Sequence, residues 1–170
     1  MIREAGRSSL RLSGAGLVPA AIGAVAALLI ALLGATLTDT GGWYRTLAKP
    51  AWTPPDAAFG VIWTVILAFW AVAAVSAWRA APDSRSADWL IGLFALNGFL
   101  NVGWSLLFFR MQRPDLALVE VVFLLASVVA LILACRRHSR LAALLLLPYL
   151  LWVGVAALLN WELVRLNALA

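Results

Sequence analysis

The stretch AAFGVIWTVILAFWAVAAVSAW, residues 57–78, decides the fold class. It contains no charged residue and is bounded by Asp56 and Arg79. A helix needs about 20 mostly apolar residues to cross the hydrocarbon core of a bilayer. The stretch therefore predicts a membrane-spanning helix.

Four further stretches are also predominantly apolar, and they cover residues 17–37, 88–109, 115–135 and 141–163. The whole chain is 64% hydrophobic and only 12% charged, whereas soluble domains are about 25% charged. The sequence predicts an all-α integral membrane protein, a five-transmembrane-helix bundle. It forms one domain over residues 17–167, after a disordered polar tail at residues 1–16. The long connection is the loop at residues 39–56, where Thr53 is predicted to cap the second span.

The net charge of +5 does not indicate nucleic-acid binding, because the basic residues flank apolar runs and form no basic face. With five spans, eight basic residues fall on the N-terminal side of the membrane and five on the other. Cytoplasmic loops are enriched in Lys and Arg. A multi-pass protein of a bacterial membrane with a cytoplasmic N-terminus is therefore expected.

Metal and hydrolase chemistry find no support in the sequence. Cys135 is the single cysteine, which excludes an internal disulfide and cysteine-based metal motifs. His138 lies in a basic turn between Arg137 and Ser139, where a solvated side chain is expected. No metal site, obligatory cofactor or catalytic residue is assigned.

Tryptophan is unusually frequent, with nine in 170 residues. Trp63, Trp70, Trp104 and Trp152 fall near the middle of their predicted spans, away from the interfacial belt that tryptophan prefers. An indole N–H in hydrocarbon needs a partner. These side chains are therefore expected to face other helices or a cavity.

Helical spacing places aromatic and carboxamide side chains on shared faces of three spans. The faces carry Phe59, Trp63 and Trp70 in the second span, Asn97, Asn101, Trp104 and Phe108 in the third, and Tyr149, Trp152, Ala156 and Asn160 in the fifth. Asparagine within a span must be hydrogen-bonded internally, so the faces should point inward. The asparagines either join helices or line an aromatic ligand pocket, and the pattern leaves both interpretations open.

Glu120 is the only acid clearly inside a predicted span. A carboxylate within the membrane is a candidate functional group. Close to a helix N-terminus, it can equally be stabilised by the helix dipole.

Several motifs, in order along the chain, resemble one known family. They are WYRTLAKPAWTPP at residues 43–55, GVIWT at 60–64, LNVGWSLLFF at 100–109, and PYLLW at 148–152 with LNW at 159–161 and LN at 166–167. Together they resemble the tryptophan-rich sensory protein family (TspO/MBR), bacterial relatives of the mitochondrial translocator protein or peripheral benzodiazepine receptor. The resemblance covers residues 17–167.

The resemblance implies a five-helix bundle, often a homodimer, whose pocket is closed by the first loop and binds porphyrins such as protoporphyrin IX and haem. Matching positions give the implied ligand-binding residues: Trp43, Tyr44, Trp52, Trp63, Asn97, Asn101, Trp104, Tyr149, Trp152 and Ala156. Charged propionates cannot enter hydrocarbon unpaired, so they are expected to lie near Arg45 and Lys49. Sterol binding is doubtful, because Trp161 replaces the tyrosine of the family's cholesterol motif.

Three functions stay open at this point. The protein is a receptor that senses tetrapyrroles, a carrier of them across the membrane, or a light-dependent porphyrin-degrading protein. In the third case the resemblance assigns the photochemistry to Trp63 and Trp152.

Overall fold

The computed structural model describes residues 11–167, with side chains from Ala21 to Asn167. All regular structure in this part of the chain is helical, as predicted, and it contains no strand. Seven α-helices follow one another: α1 (Arg11–Leu37), α2 (Gly42–Thr46), α3 (Asp56–Arg79), α4 (Ser84–Ser105), α5 (Pro114–Arg136), α6 (Arg140–Leu145) and α7 (Leu147–Asn167). A π-helical turn, Leu106–Arg110, continues α4.

Four helical segments are long and apolar enough to cross a bilayer. They are Asp56–Arg79, Ser84–Arg110, Pro114–Arg136 and Arg140–Asn167, and Ala21–Leu37 within α1 is a shorter apolar helix. Large apolar side chains point outward from these segments; Phe99 and Leu151, for example, are both 73% exposed. Such a surface is suited to lipid acyl chains.

The helices surround a core of small and branched side chains. α1 packs against α3 and α4, α5 packs against α4 and α7, and α6 contacts α3 and α5. Ala73, Val128 and Leu131 are completely buried where these helices meet. Small residues let helix backbones approach closely, which favours packing in the absence of a hydrophobic driving force.

The helix ends differ from the predicted ends in ways that local chemistry explains. α1 begins at Arg11, inside the predicted tail, whose residues 1–10 lie outside the described part of the chain. α4 begins at Ser84, before the predicted Asp88, because the Asp83 carboxylate caps it by accepting from the Ser86 N–H at 2.7 Å. The predicted cap at Thr53 is wrong, since the Thr53 hydroxyl donates to the Pro50 carbonyl instead.

The predicted fifth span is interrupted at Leu146, which separates α6 from α7. Pro148 has no N–H to donate to the carbonyl four residues earlier, so the helical ladder is broken there. Beyond this break α7 continues to Asn167, four residues past the predicted end. That extension brings Asn167 beside the first loop.

Candidate functional site

A cavity of about 380 Å³ lies between α1, α3, α4 and α7, at the end of the bundle where α1 ends and α3 begins. Residues 39–55, which connect these two helices and include α2, cover it and are called the lid below. The volume falls within the roughly 300–1,000 Å³ of small-molecule sites. The cavity wall carries six aromatic side chains: Tyr44, Phe59, Trp63, Trp104, Phe109 and Trp152.

Neighbouring rings hold the aromatic wall in place. Phe59 and Trp152 meet edge to face with ring centroids 5.7 Å apart, and so do Trp63 and Tyr149 at 6.1 Å. Trp104 stacks on Phe108 at 5.0 Å. These contacts join α3 to α7 and fix the Trp104 ring within the π-turn region, so the wall is an ordered set of rings.

A few polar groups interrupt the apolar wall. The Asn101 side chain donates to the Tyr149 hydroxyl at 3.2 Å, and both residues are buried. Asn101 lines the cavity together with hydroxyl groups of Thr38, Thr64 and Ser105. An apolar pocket with a small number of placed polar groups is the usual composition of a ligand site.

Two indole N–H groups on this wall lack an acceptor. The Nε1 atoms of Trp104 and Trp152 are buried and have no hydrogen-bond partner among the described residues. A buried donor without an acceptor is destabilising by about 1–3 kcal/mol. A ligand or a water molecule with an acceptor atom would satisfy either group after a small movement of the ring.

The lid is closed over the cavity by Tyr44, which is 4% exposed. Its ring packs against Phe108 and Phe109. The Lys49 ammonium donates to the Tyr44 carbonyl and lies 4.2 Å above the Tyr44 ring centroid. Burial raises the pKa of the Tyr44 phenol above its ordinary value, and the Asp56 carboxylate raises it further. The phenol therefore stays neutral and covers the cavity as an apolar surface.

Residues 21–166 match the TspO/MBR family. The chain belongs to that family. It is 37% identical to the tryptophan-rich protein TspO of Chlorobaculum tepidum, with 82% of this chain and 90% of that protein covered. It is 31% identical to protein CrtK of Rhodobacter capsulatus, with 81% and 87% covered. It is 35% identical to the translocator protein of Sus scrofa, with 70% and 71% covered. The predicted resemblance is confirmed, and the chain is a multi-pass membrane protein.

Six of the ten residues that the resemblance named for the pocket meet on the cavity wall of this TspO/MBR protein. They are Tyr44, Trp63, Asn101, Trp104, Trp152 and Ala156. Tyr149 stands behind them, buried and bonded to Asn101. Trp43 packs edge to face on Phe108 at 5.9 Å, while Trp52 on the lid surface is half exposed.

Asn97 lies away from the cavity and joins three helices. Its oxygen accepts from the Trp70 indole at 2.9 Å, and its nitrogen donates to the Ser127 hydroxyl at 2.8 Å. Ser127 in turn donates to the Leu124 carbonyl. These bonds connect α3, α4 and α5, so Asn97 acts as polar contact between helices.

Asn160 also joins helices. With its carboxamide oriented to satisfy both ends, the nitrogen donates to the Pro114 carbonyl at 3.1 Å and the oxygen accepts from the Leu118 N–H at 3.0 Å. It therefore holds the first turn of α5 against α7. Each of the two interpretations thus holds for part of the set. Asn97 and Asn160 join helices, and of the three only Asn101 lines the cavity.

The sequence analysis missed the contribution of α1 to the site. Ile30, Ala31, Gly34 and Ala35 of α1 line the cavity, as does Thr38 directly after its end. The predicted first span is apolar throughout and shows no spacing of aromatic or carboxamide residues, so no signal marked its inner face. Phe109 was missed as well, although it lies next to Phe108 in the quoted motif.

Glu120 is not on the cavity wall of this TspO/MBR protein. Both of its carboxylate oxygens are buried without a hydrogen-bond partner among the described residues. Within the described residues, no group of three or more His, Cys, Asp or Glu side chains could hold a metal ion.

A larger hollow of about 720 Å³ lies between α1, α3 and α4, farther from the lid. Its wall is almost entirely apolar, and the one indole N–H there that reaches a partner, that of Trp70, is already bonded to Asn97. Since the wall of the larger hollow offers fewer polar side chains to orient a ligand, the smaller cavity beneath the lid is the better candidate site.

Proposed function

We propose that this protein is a membrane receptor and sensor that binds tetrapyrroles, such as protoporphyrin IX or haem, in the cavity beneath the lid. The observation that carries the proposal is the wall itself. Trp63, Trp104 and Trp152 meet there with Tyr44, and two of the indole N–H groups lack an acceptor. A flat aromatic ring with nitrogen and carboxylate acceptors complements such a wall.

An approximate energy balance supports useful affinity. Burying several hundred Å² of ring surface contributes roughly 25 cal/mol per Å², and each aromatic contact adds about 0.5–1.5 kcal/mol. Association opposes binding by at least about 4 kcal/mol. The remaining binding free energy is about −8 kcal/mol, which corresponds to a dissociation constant in the micromolar range.

Five spans and a homodimer are part of the same proposal. The described apolar part of α1, Ala21–Leu37, is shorter than a full span, but α1 itself extends back to Arg11. That length supports α1 as the fifth span. The homodimer and the cytoplasmic N-terminus rest on the family and on the charge distribution.

The direct test is a titration of the purified protein with protoporphyrin IX in the dark. Binding is measured as quenching of the tryptophan fluorescence. We expect metal-free protoporphyrin and haem to bind with similar affinity, because the cavity wall carries no His, Cys or Met side chain to ligate iron, and the raised pKa keeps the Tyr44 phenol protonated. A strong preference for haem would show that the iron is recognised, and would contradict this binding mode.

A light-dependent activity is the second candidate, because Trp63 and Trp152 both stand on the cavity wall. A bound, photoexcited ring would contact two indoles that can exchange electrons with it. Illuminating the same complex separates the candidates. A photoproduct that disappears in Trp63→Phe and Trp152→Phe favours the activity, whereas unchanged porphyrin favours a receptor. Uptake into vesicles would favour a carrier.

The propionates of the ligand are proposed to stay at the cavity mouth, close to Arg45 and Lys49. The Lys49 ammonium lies against Tyr44, which lines the cavity. Arg45 ends the short helix α2 and is exposed.

Lys49→Ala is expected to weaken protoporphyrin IX binding by about two- to fivefold, the usual range for one exposed ion pair. Protoporphyrin IX dimethyl ester, which has the same ring and no charge, should bind the variant as well as it binds the unaltered protein. Both affinities are measured by tryptophan quenching. Equal losses for acid and ester would show that Lys49 acts by holding Tyr44 in the lid, and would contradict the propionate placement.

A further inference from the structure

The helices α1 and α3 touch at Gly23 and Val75, which both line the larger hollow described above. A Cβ atom placed on Gly23 of α1 would come within 2.9 Å of the Val75 side chain of α3 and 3.5 Å of the Ala71 carbonyl oxygen. In the middle of α1, the Ile30 side chain would lie 2.7 Å from a Cβ on Gly98 of α4. Here α1 is packed too closely for even a methyl group to be added freely.

Toward the lid the two helices leave an opening. Gly34 lies eleven residues beyond Gly23, about 16 Å farther along the helix, and Gly60 lies on the facing part of α3. Both line the cavity, and a Cβ atom on either would meet nothing within 4 Å.

The exposed members of the cavity wall are confined to these two helices and to Thr38, directly after α1. Leu32 is 53% exposed, and Ala35, Thr38, Gly60 and Thr64 are exposed as well. The wall residues contributed by α4, α7 and the lid are all buried or partly buried. The exposed part of the cavity wall therefore lies on its α1–α3 side.

The lid is fastened to the opposite side of the bundle. The Asn167 side chain at the end of α7 accepts from the Ala48 N–H and donates to the Ala48 carbonyl, both at 3.0 Å. The same nitrogen donates to the Leu163 carbonyl at 2.8 Å, which orients the carboxamide. Next to Ala48, Lys49 bonds to Tyr44, which is packed on the Phe108 ring.

From these contacts we infer that ligands enter and leave the cavity sideways from the bilayer, through the opening between α1 and α3, while the lid stays closed. The inference rests on the proposed ligand-binding function. Opening the lid would break the Asn167 and Lys49 hydrogen bonds and expose Tyr44. In the described part of the chain, the side-chain and end-of-helix hydrogen bonds to the Gly34 and Gly60 carbonyls run along their own helices and do not join α1 to α3. A lipophilic ring is also concentrated in the bilayer rather than in water.

The test compares exchange rates of protoporphyrin IX with the full-length protein in lipid nanodiscs, by stopped-flow tryptophan quenching. Gly34→Leu and Gly60→Leu, singly and together, place branched side chains in the opening; leucine forms helices better than glycine, so both helices should be retained. Val61→Leu is the matched control, since Val61 is 67% exposed beside Gly60 and is not on the cavity wall. Asn167→Ala releases the lid.

We expect the double glycine variant to slow both association and dissociation by about tenfold, as for a narrowed access path, whereas Val61→Leu and Asn167→Ala leave both rates nearly unchanged.

Three results would overturn the lateral route. The first is acceleration of both rates by Asn167→Ala with no effect of the glycine variants. The second is faster dissociation in the glycine variants, which would mean that leucine fills the cavity. The third is unchanged rates in every variant. A lack of quenching in the unaltered protein would instead overturn the proposed function, and with it the premise of this inference.

Discussion

Ala156→Phe is expected to weaken protoporphyrin IX binding about 10- to 100-fold, since forcing a ring into an occupied site is unfavourable by about 1–3 kcal/mol. Ala156 lies on α7 and lines the cavity on the same face as Trp152, one helical turn away. A phenyl group there occupies the space that the porphyrin ring needs. The affinity is measured by tryptophan quenching with the protein in detergent or nanodiscs.

Leu158→Phe is the matched control for this variant. Leu158 is two residues farther along α7, is 59% exposed toward lipid and does not line the cavity. It should bind protoporphyrin IX like the unaltered protein. If Ala156→Phe bound normally while its thermal unfolding was unchanged, the ligand would have to lie elsewhere, and the proposed site would be wrong.

Asn97→Ala is expected to lower the free energy of unfolding by about 1–3 kcal/mol, the usual effect of leaving a buried polar group without its partner. The substitution removes the acceptor of the Trp70 indole and the donor to Ser127. Asn97 itself is completely buried, so water cannot replace these bonds. The measurement is thermal or denaturant unfolding in detergent micelles.

A double-mutant cycle shows whether the hydrogen bond is responsible. Removing both partners of a buried bond is nearly neutral when the shape is kept. Trp70→Phe combined with Asn97→Leu should therefore lose less stability than the sum of the two single variants, because each single variant already breaks the same hydrogen bond. If the double variant loses the sum of the two single effects, the residues act independently, and cavity formation rather than the hydrogen bond explains the loss.

Periodicity predicted that the aromatic and carboxamide faces point inward, and the structure confirms it for Trp63, Asn101 and Trp152. It could not distinguish the cavity from the packed core. Asn97 and Asn101 are one turn apart on the same face of α4, yet one joins helices and the other lines the cavity. The difference depends on where α1 and α3 diverge, and helical spacing within α4 contains no information about that.

The same limit explains Trp63 and Trp70, which share a face of α3. Trp63 meets Tyr149 of α7 at the cavity wall, whereas Trp70 meets Phe94 of α4 and is bonded to Asn97. Seven residues along α3 is about 10 Å, enough for one face to pass from one neighbouring helix to another. The helix that lies next to α3 at a given level therefore determines which contacts a side chain makes there.

The sequence by itself determined that the chain is a helical membrane protein, because long uncharged apolar stretches have no alternative to a helix within lipid. It also determined that the aromatic and carboxamide faces of α3, α4 and α7 point inward, since 3.6 residues per turn align them on one side of each helix. The tertiary structure alone decided which of them surround the cavity, how α1 completes its wall, and that Asn167 holds the lid at Ala48, 119 residues away in the sequence. These features depend on distances between helices, which arise from the packing of all the side chains together and are not encoded in any single segment.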